Sequence, residues 1–132
     1  MTYADRYAAR ATYEDARKAV AGLMNMIRGT KGEARKQIKA ELNEYIRIRD
    51  LAYADSLMPG RKVKQGTLGW VTGSQITAHI EDGSTTHDWQ FNGGNCRDRN
   101  GLEIFRQRCA VCGATRTMAH SKTTGRPYVV QR

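Results

Sequence analysis

The feature that most constrains the fold of this chain is the segment Cys109-Ala110-Val111-Cys112-Gly113. Two thiols separated by two residues can point at one ion, because the backbone between them turns. Gly113 can adopt the positive φ angle that ends such a turn. A structural zinc takes four ligands in a tetrahedron, so this pair supplies half of a site. The sequence therefore predicts a local turn, a bound metal and a non-redox use of both thiols.

The cysteine count and the absence of apolar runs constrain the compartment. The chain has 132 residues and 3 cysteines, which cannot form a self-contained disulfide scaffold, so a reducing compartment is favoured. Residues 1–10 lack the apolar run of a secretion signal, and no stretch is long enough to cross a bilayer. We therefore expect a cytoplasmic protein without membrane contact.

Positive charge is concentrated near the C-terminal end of the chain. The net charge is +9, and residues 93–132 carry 8 basic and 2 acidic side chains, whereas residues 58–92 carry 3 of each. Basic charge on one small segment attracts phosphate backbones or an acidic protein surface such as that of the transcription machinery. A solvated face that maintains solubility is the alternative interpretation.

Two helices are predicted within residues 1–58. The first covers residues 2–28, and the second begins near Thr30, whose spacing from Glu33 is typical of a capping box. Their apolar stripes consist of Tyr13, Ala16, Val20, Leu23 and Ile27 in the first helix, and of Ile38, Leu42, Tyr45, Ile48 and Ala52 in the second. The short glycine-containing loop between the helices predicts an antiparallel hairpin. A lone hairpin buries one face, so it must pack on the rest of the chain or form a homodimer.

The remainder of the chain predicts short strands, because β-branched and aromatic residues alternate with glycine. The predicted strands cover residues 61–65, 68–72, 75–81, 86–91, 102–108, 114–119 and 127–131. We therefore expect an α+β protein in three parts. These are a helical hairpin over residues 1–58, a short β-strand segment over 59–84 and a basic zinc-binding module over 85–132.

The second half of the metal site has four candidate residues, which are His79, His87, Cys96 and His120. His87 precedes a glycine-rich turn over residues 92–95, and this turn could return Cys96 to its side. We expect His87, Cys96, Cys109 and Cys112 to bind zinc. The fourth ligand stays open, with His120 and then His79 as replacements for Cys96, and His79 is otherwise an ordinary strand residue.

The pattern His87-Asp88-Trp89 followed by Cys109-x-x-Cys112-Gly113 resembles the zinc ribbon family, which includes modules of phage-type proteins. The resemblance covers about residues 85–120, and Thr85 stands where many members have their first cysteine. It implies a C-terminal zinc ribbon. The size of the chain and the style of the ribbon are similar to small phage regulatory proteins, which implies a role associated with transcription.

Residues 63–71 resemble the opening strand pair of KOW-type, SH3-like domains, in which a glycine bends the chain between two short strands. Members of that family often contact RNA or the transcription and translation machinery. The resemblance implies contacts by Lys62, Lys64 and Trp70. A generic glycine-kinked β-hairpin is the alternative.

One enzyme signature is partly present. His79-Ile80-Glu81 followed by Cys109-x-x-Cys112 resembles the zinc deaminases, in which the glutamate shuttles protons. Arg108 stands where that signature has proline, and a turn follows Glu81 where that family begins a helix. A deaminase or hydrolase is thus a remote alternative.

Seven basic residues are candidates for nucleic-acid contact. Arg106 and Arg108 would share one face of a strand, Arg116 would join them from the partner strand, and Phe105 or Tyr128 could stack on bases unless Phe105 packs inward. The full candidate set is Arg97, Arg99, Arg106, Arg108, Arg116, Lys122 and Arg126. We expect a non-enzymatic, zinc-stabilised protein that binds nucleic acid or a transcription complex. The alternative is a protein–protein adaptor or assembly component that acts through the helical hairpin.

Overall fold

The computed structural model describes residues 2–94, 96–97 and 101–130. The fold is α+β, as the sequence predicts: a long helical hairpin precedes two small antiparallel sheets. The helices are α1 (Tyr3–Ile27), α2 (Gly32–Ser56) and α3 (Gly73–Asp82). The strands are β1 (Lys62–Lys64), β2 (Trp70–Thr72), β3 (Trp89–Phe91), β4 (Cys96–Arg97), β5 (Glu103–Cys109), β6 (Thr115–His120) and β7 (Pro127–Val129).

The hairpin of α1 and α2 forms because each helix has an apolar stripe that the other covers. Ala16, Val20 and Leu23 are buried on α1, and Ala52 is buried on α2, whereas Ala54 of α2 is buried against Val71 and Ile76. In α1 the predicted stripe is confirmed at its three central positions. Among the described residues, no helix has the length and apolarity required to span a bilayer.

The helix starts differ from the prediction in one respect. The capping box lies at the start of α1, where the Thr2 hydroxyl accepts from the amide of Asp5 and the Asp5 carboxylate accepts from the amide of Thr2. At α2 the N-cap is Lys31, which makes no side-chain cap bond. Thr30 does not cap α2, because its hydroxyl donates to the carbonyl of Met26 at 2.7 Å and so ends α1 instead.

The predicted strand over residues 75–81 is wrong, because this segment forms α3. A capping box starts the helix: the Thr72 hydroxyl accepts from the amide of Gln75, whose side chain accepts from the amide of Thr72. Gly83, with φ of 77°, ends it in the left-handed conformation. Ile76 packs with Ala54 and Val71 in the buried cluster that joins α3, α2 and the β1–β2 hairpin.

β5 is the central strand of the larger sheet. It pairs with β6 along one edge and with β3 and β4 along the other, and β7 pairs with the far edge of β6, all antiparallel. The remaining strand predictions agree with the observed strands to within about three residues at each end. β4, which no pattern predicted, contains Cys96 and Arg97.

Candidate metal centre

Four side chains converge where α3 meets the larger sheet. The ligand atoms of His79, His87, Cys109 and Cys112 all lie within 4.8 Å of one another, so this group could hold a metal ion. His79 lies in the last turn of α3, and His87 lies in the segment between α3 and β3. Cys109 ends β5 and Cys112 lies in the turn to β6. Three separate segments of the chain therefore meet at one point.

The turn between β5 and β6 aims both thiols at the same point. Gly113 donates its amide to the carbonyl of Cys109 at 3.0 Å, and Cys109 donates to Ala114 at 2.8 Å. Gly113 has φ of 75°, which glycine adopts without strain. The turn expected from the Cys-x-x-Cys-Gly pattern is thus present.

Two His–Cys distances within the group match those between neighbouring ligands of a tetrahedral ion. Bonds of about 2.3 Å to sulfur and about 2.0 Å to nitrogen separate neighbouring ligand atoms by about 3.3–3.8 Å. The Sγ of Cys109 lies 3.7 Å from Nε2 of His79, and the Sγ of Cys112 lies 3.4 Å from Nδ1 of His87. Both His–Cys distances are those of two corners of such a tetrahedron.

Outer hydrogen bonds orient both imidazoles. Nε2 of His87 lies 2.9 Å from the carbonyl oxygen of Leu68, which can only accept, so Nε2 carries the proton. Nδ1 of His87 is then free to bind a metal. Nδ1 of His79 lies 2.7 Å from the hydroxyl of Ser84, and a proton on this Nδ1 leaves Nε2 free on the side of Cys109. Such partners typically accompany metal-binding histidines.

The two thiols have different environments. Burial by itself raises the pKa of Cys109, but backbone hydrogen bonds, the largest from Cys112 and others from Val111 and Asp88, lower it to about 7. Burial raises the pKa of Cys112. Burial, followed by the charge of His87, lowers the pKa of His79, which keeps this imidazole neutral as metal binding requires.

The fourth member of the group differs from the residue chosen from the sequence. Cys96 is exposed in β4, where it pairs with Ile104, and it does not belong to the group. His120 is also outside it, because its Nδ1 lies 3.2 Å from the carbonyl oxygen of Gly125. His79 takes the place instead, with 1% of its surface exposed. The missed signal is the helical spacing of Ile76, His79 and Ile80, which favours a helix whose end presents the histidine.

The larger sheet has two chemically different faces, because directly opposed residues of antiparallel strands project to the same side. Arg106 and Arg108 are exposed on one side, called the arginine face here. Arg116 opposes Gln107 and therefore lies on the other side, so the expectation that it joins the two arginines is wrong. Its guanidinium donates to Gln107 at 2.7 Å and lies 4.3 Å from the ring centre of Trp89.

The other four basic candidates are dispersed. Arg97 opposes Glu103 and pairs with its carboxylate at 3.8 Å, with both side chains exposed. Lys122 and Arg126 are exposed in the loop between β6 and β7. Arg99 lies outside the described residues.

Comparison with protein-family models, with curated proteins and with solved structures gives no match.

Proposed function

We propose that the four converging side chains hold a zinc ion and that the protein is a non-enzymatic, zinc-stabilised module that binds nucleic acid. Two thiols and two imidazoles in a tetrahedral arrangement are the donor set that zinc prefers. The two sulfurs come from the turn that ends β5, and the two nitrogens come from α3 and the loop after it. The metal would therefore join the helical part of the chain to the sheet. Reduced thiols in this group are compatible with the cytoplasm.

A structural role for the metal is favoured over a catalytic one. His79, Cys109 and Cys112 are the three positions that the deaminase-like signature would use as ligands, and a deaminase leaves the fourth position to water. Here the side chain of His87 lies within 4.8 Å of the other three and would take the fourth position. Glu81 follows His79 by two residues on α3, so the two side chains face different sides of that helix. With four protein ligands, no position is open for a substrate or a reacting water.

Nucleic-acid binding is supported by one observation above the others, which is the exposed arginine face. Arg106 and Arg108 project from the same side of β5, and no acidic side chain of β5 or β6 shares that side. They belong to residues 93–132, which carry 8 basic and only 2 acidic side chains. Paired guanidinium groups at alternate strand positions can contact successive phosphates. A role near the transcription machinery is part of this proposal.

The test is a double charge reversal, Arg106→Glu with Arg108→Glu. We expect affinity for a labelled oligonucleotide to fall about tenfold or more. The plot of log K against log salt has a negative slope, and we expect its magnitude to decrease by about 1.4–1.8, because two phosphate contacts are lost. The control is Lys18→Glu with Lys39→Glu, which changes the net charge equally on exposed positions of α1 and α2.

The two double variants separate local contact from net charge. Equal losses of affinity in both would contradict a binding surface on the sheet and indicate unspecific attraction to a basic protein. If the wild-type protein binds no oligonucleotide at low salt, the proposed function is wrong.

An adaptor that acts through the helical hairpin is the second candidate. The observation that favours it is a set of exposed apolar side chains on α1: Tyr3 (75% exposed), Tyr7 (70%), Met24 (49%) and Met26 (57%). Sedimentation of the zinc-loaded protein at high salt tests it, because apolar self-association persists when charges are screened. A dimer that Tyr7→Ser with Met24→Ser abolishes would support this reading.

A further inference from the structure

The second side of the larger sheet carries a row of aromatic rings. Trp89, Phe91, Phe105 and His120 lie on the side opposite Arg106 and Arg108, and they form what is called the aromatic face here. The ring centres of Phe91 and Phe105 lie 6.3 Å apart, and Phe105 stacks on His120 at 5.3 Å. The rings therefore follow one another across β3, β5 and β6.

Part of the aromatic face is open to solvent in the described part of the chain. Phe91, on the edge strand β3, keeps 66% of its surface exposed. Large apolar rings that stay in water on a sheet surface commonly mark a binding site. The rim carries positive charge, because Arg116 lies over the ring of Trp89.

A cleft extends from the aromatic face to the smaller sheet, which consists of β1 and β2. Its volume is about 510 Å³, and its walls include Trp70 and Lys62 on one side and Trp89 and Arg116 on the other. Trp70 is 68% exposed. A cleft of this size can hold one planar, anionic group of nucleotide dimensions. Its walls offer rings for a base and cations for a phosphate.

We propose that the aromatic face and this cleft together bind single-stranded nucleic acid, with bases stacked on Phe91 and Phe105 and with one nucleotide in the cleft. The inference rests on the proposed function and specifies its ligand. Stacking on side chains requires bases that are not already stacked in a duplex, so paired strands would bind less tightly. The arginine face could then hold phosphates of the same strand as it passes the sheet edge.

The positive charges among the rings favour single-stranded nucleic acid over an apolar protein as the ligand of this surface. Lys62 and Arg116 line the cleft beside its two tryptophans, and a wholly apolar protein surface would desolvate both charges without supplying an anion. A nucleotide supplies a flat ring for the aromatic walls and an anion for the cations. Both requirements are thereby met by one ligand.

The experiment measures affinity for labelled oligo(dT) and oligo(U) of about 12 nucleotides, a length within the usual site size. In Phe91→Ala we expect a loss of about 5- to 150-fold, the range for one stacked base. In Phe91→Leu, which keeps the apolar surface but not the aromatic ring, we expect most of that loss. Tyr3→Ala is the matched control, because Tyr3 is a similarly exposed ring on α1, distant in sequence from the sheet.

A second variant tests the cleft. Trp70→Ala should reduce affinity by a similar factor, and Trp70→Phe should restore much of it. The visible absorption of the cobalt-substituted protein reports whether each variant keeps its metal centre, so a loss of fold is recognised separately. The same sequence as a duplex should bind the wild-type protein more weakly and should be insensitive to Phe91→Ala.

The outcomes distinguish this inference from the proposed function. Unchanged single-strand affinity in Phe91→Ala and Trp70→Ala, together with a loss in the double reversal of Arg106 and Arg108, overturns the inference and leaves the proposed function standing. Full affinity in Phe91→Leu also overturns it, because apolar contact alone would then suffice. A dimer that Phe91→Ala dissociates without any change in oligonucleotide affinity assigns the aromatic face to a second copy of the chain.

Discussion

At the scale of single residues, metal binding at the candidate centre depends on the hydrogen bonds that orient its imidazole and thiol side chains. The carbonyl of Leu68 sets the proton on Nε2 of His87, and the hydroxyl of Ser84 contacts Nδ1 of His79. The amide of Asp88 donates to Sγ of Cys109 at 3.3 Å and stabilises the thiolate that a metal requires. Each contact comes from outside the Cys-x-x-Cys turn. The turn alone would therefore bind a metal less tightly than the complete group.

The first prediction concerns the fourth ligand. His79→Ala should lose stoichiometric zinc, because it removes a buried donor nitrogen from the group. Cys96→Ser should keep one zinc per chain, because Cys96 is exposed and lies outside the group. Elemental analysis of the purified variants measures both. Loss of zinc in Cys96→Ser with retention in His79→Ala would reverse the assignment.

The cysteine pair could be predicted from the sequence, because the spacing and the following glycine act over five residues. The fourth ligand could not be predicted in the same way. His79 is 30 residues from Cys109, and spacing alone does not say which of several distant side chains the fold will bring close. The position of His79 depends on the capping box that starts α3 and on the packing of α3 against α2.

At the scale of elements, α3 is the helix that replaces a strand predicted from the sequence. The two isoleucines and two threonines within residues 72–80 are β-branched, and such residues favour a strand. Tertiary contacts and the capping box favour a helix instead. The long helices were predicted correctly because their apolar stripes continue for several turns. A segment of ten residues offers only two repeats of the same pattern.

A glycine at the start of α3 gives the second prediction. A Cβ atom on Gly73 would lie 2.3 Å from the carbonyl oxygen of Ala54, which is backbone and cannot move aside easily. Gly73→Ala should therefore destabilise the protein by about 1–3 kcal/mol. Gly22→Ala is the control, because nothing lies within 4 Å of its Cβ in the middle of α1, and it should stabilise by about 0.5–1 kcal/mol.

Urea unfolding of the zinc-loaded variants, followed by far-UV circular dichroism, measures both changes. The test depends on the two changes in the free energy of unfolding having opposite signs, and less on their sizes. If both alanines stabilise, α3 does not pack against the end of α2 as closely as the distance of Gly73 from Ala54 requires. Elemental analysis of Gly73→Ala also tests the link from α3 to His79, because a displaced helix should weaken zinc binding.

At the scale of the whole molecule, two sources of stability hold different parts together. The hairpin of α1 and α2 and the cluster of Ala54, Val71 and Ile76 are apolar. The sheet buries fewer large side chains, among them Ile104 and Met118, and its aromatic face stays partly in water. A metal that joins α3 to the β5–β6 turn would supply what this part lacks in apolar burial. The metal would also hold one wall of the cleft in place, since His87 belongs both to the metal-binding group and to the lining of the cleft.

The last prediction follows from this division. Removing zinc with a chelator should abolish hydrogen-exchange protection in β3, β5, β6 and the last turn of α3, and α1 and α2 should stay protected. The physical reason is that two thiols and two imidazoles from three segments lose hydration when they are brought together, and only bonds to an ion would offset that cost, whereas the apolar stripes of the hairpin are unaffected. Mass spectrometry of exchanged peptides measures each segment, with α1 peptides as the internal reference. Added zinc should restore protection and single-strand affinity together. Equal loss across α1 and the sheet would mean that the chain unfolds as one unit, and unchanged protection would show that the sheet folds without a metal.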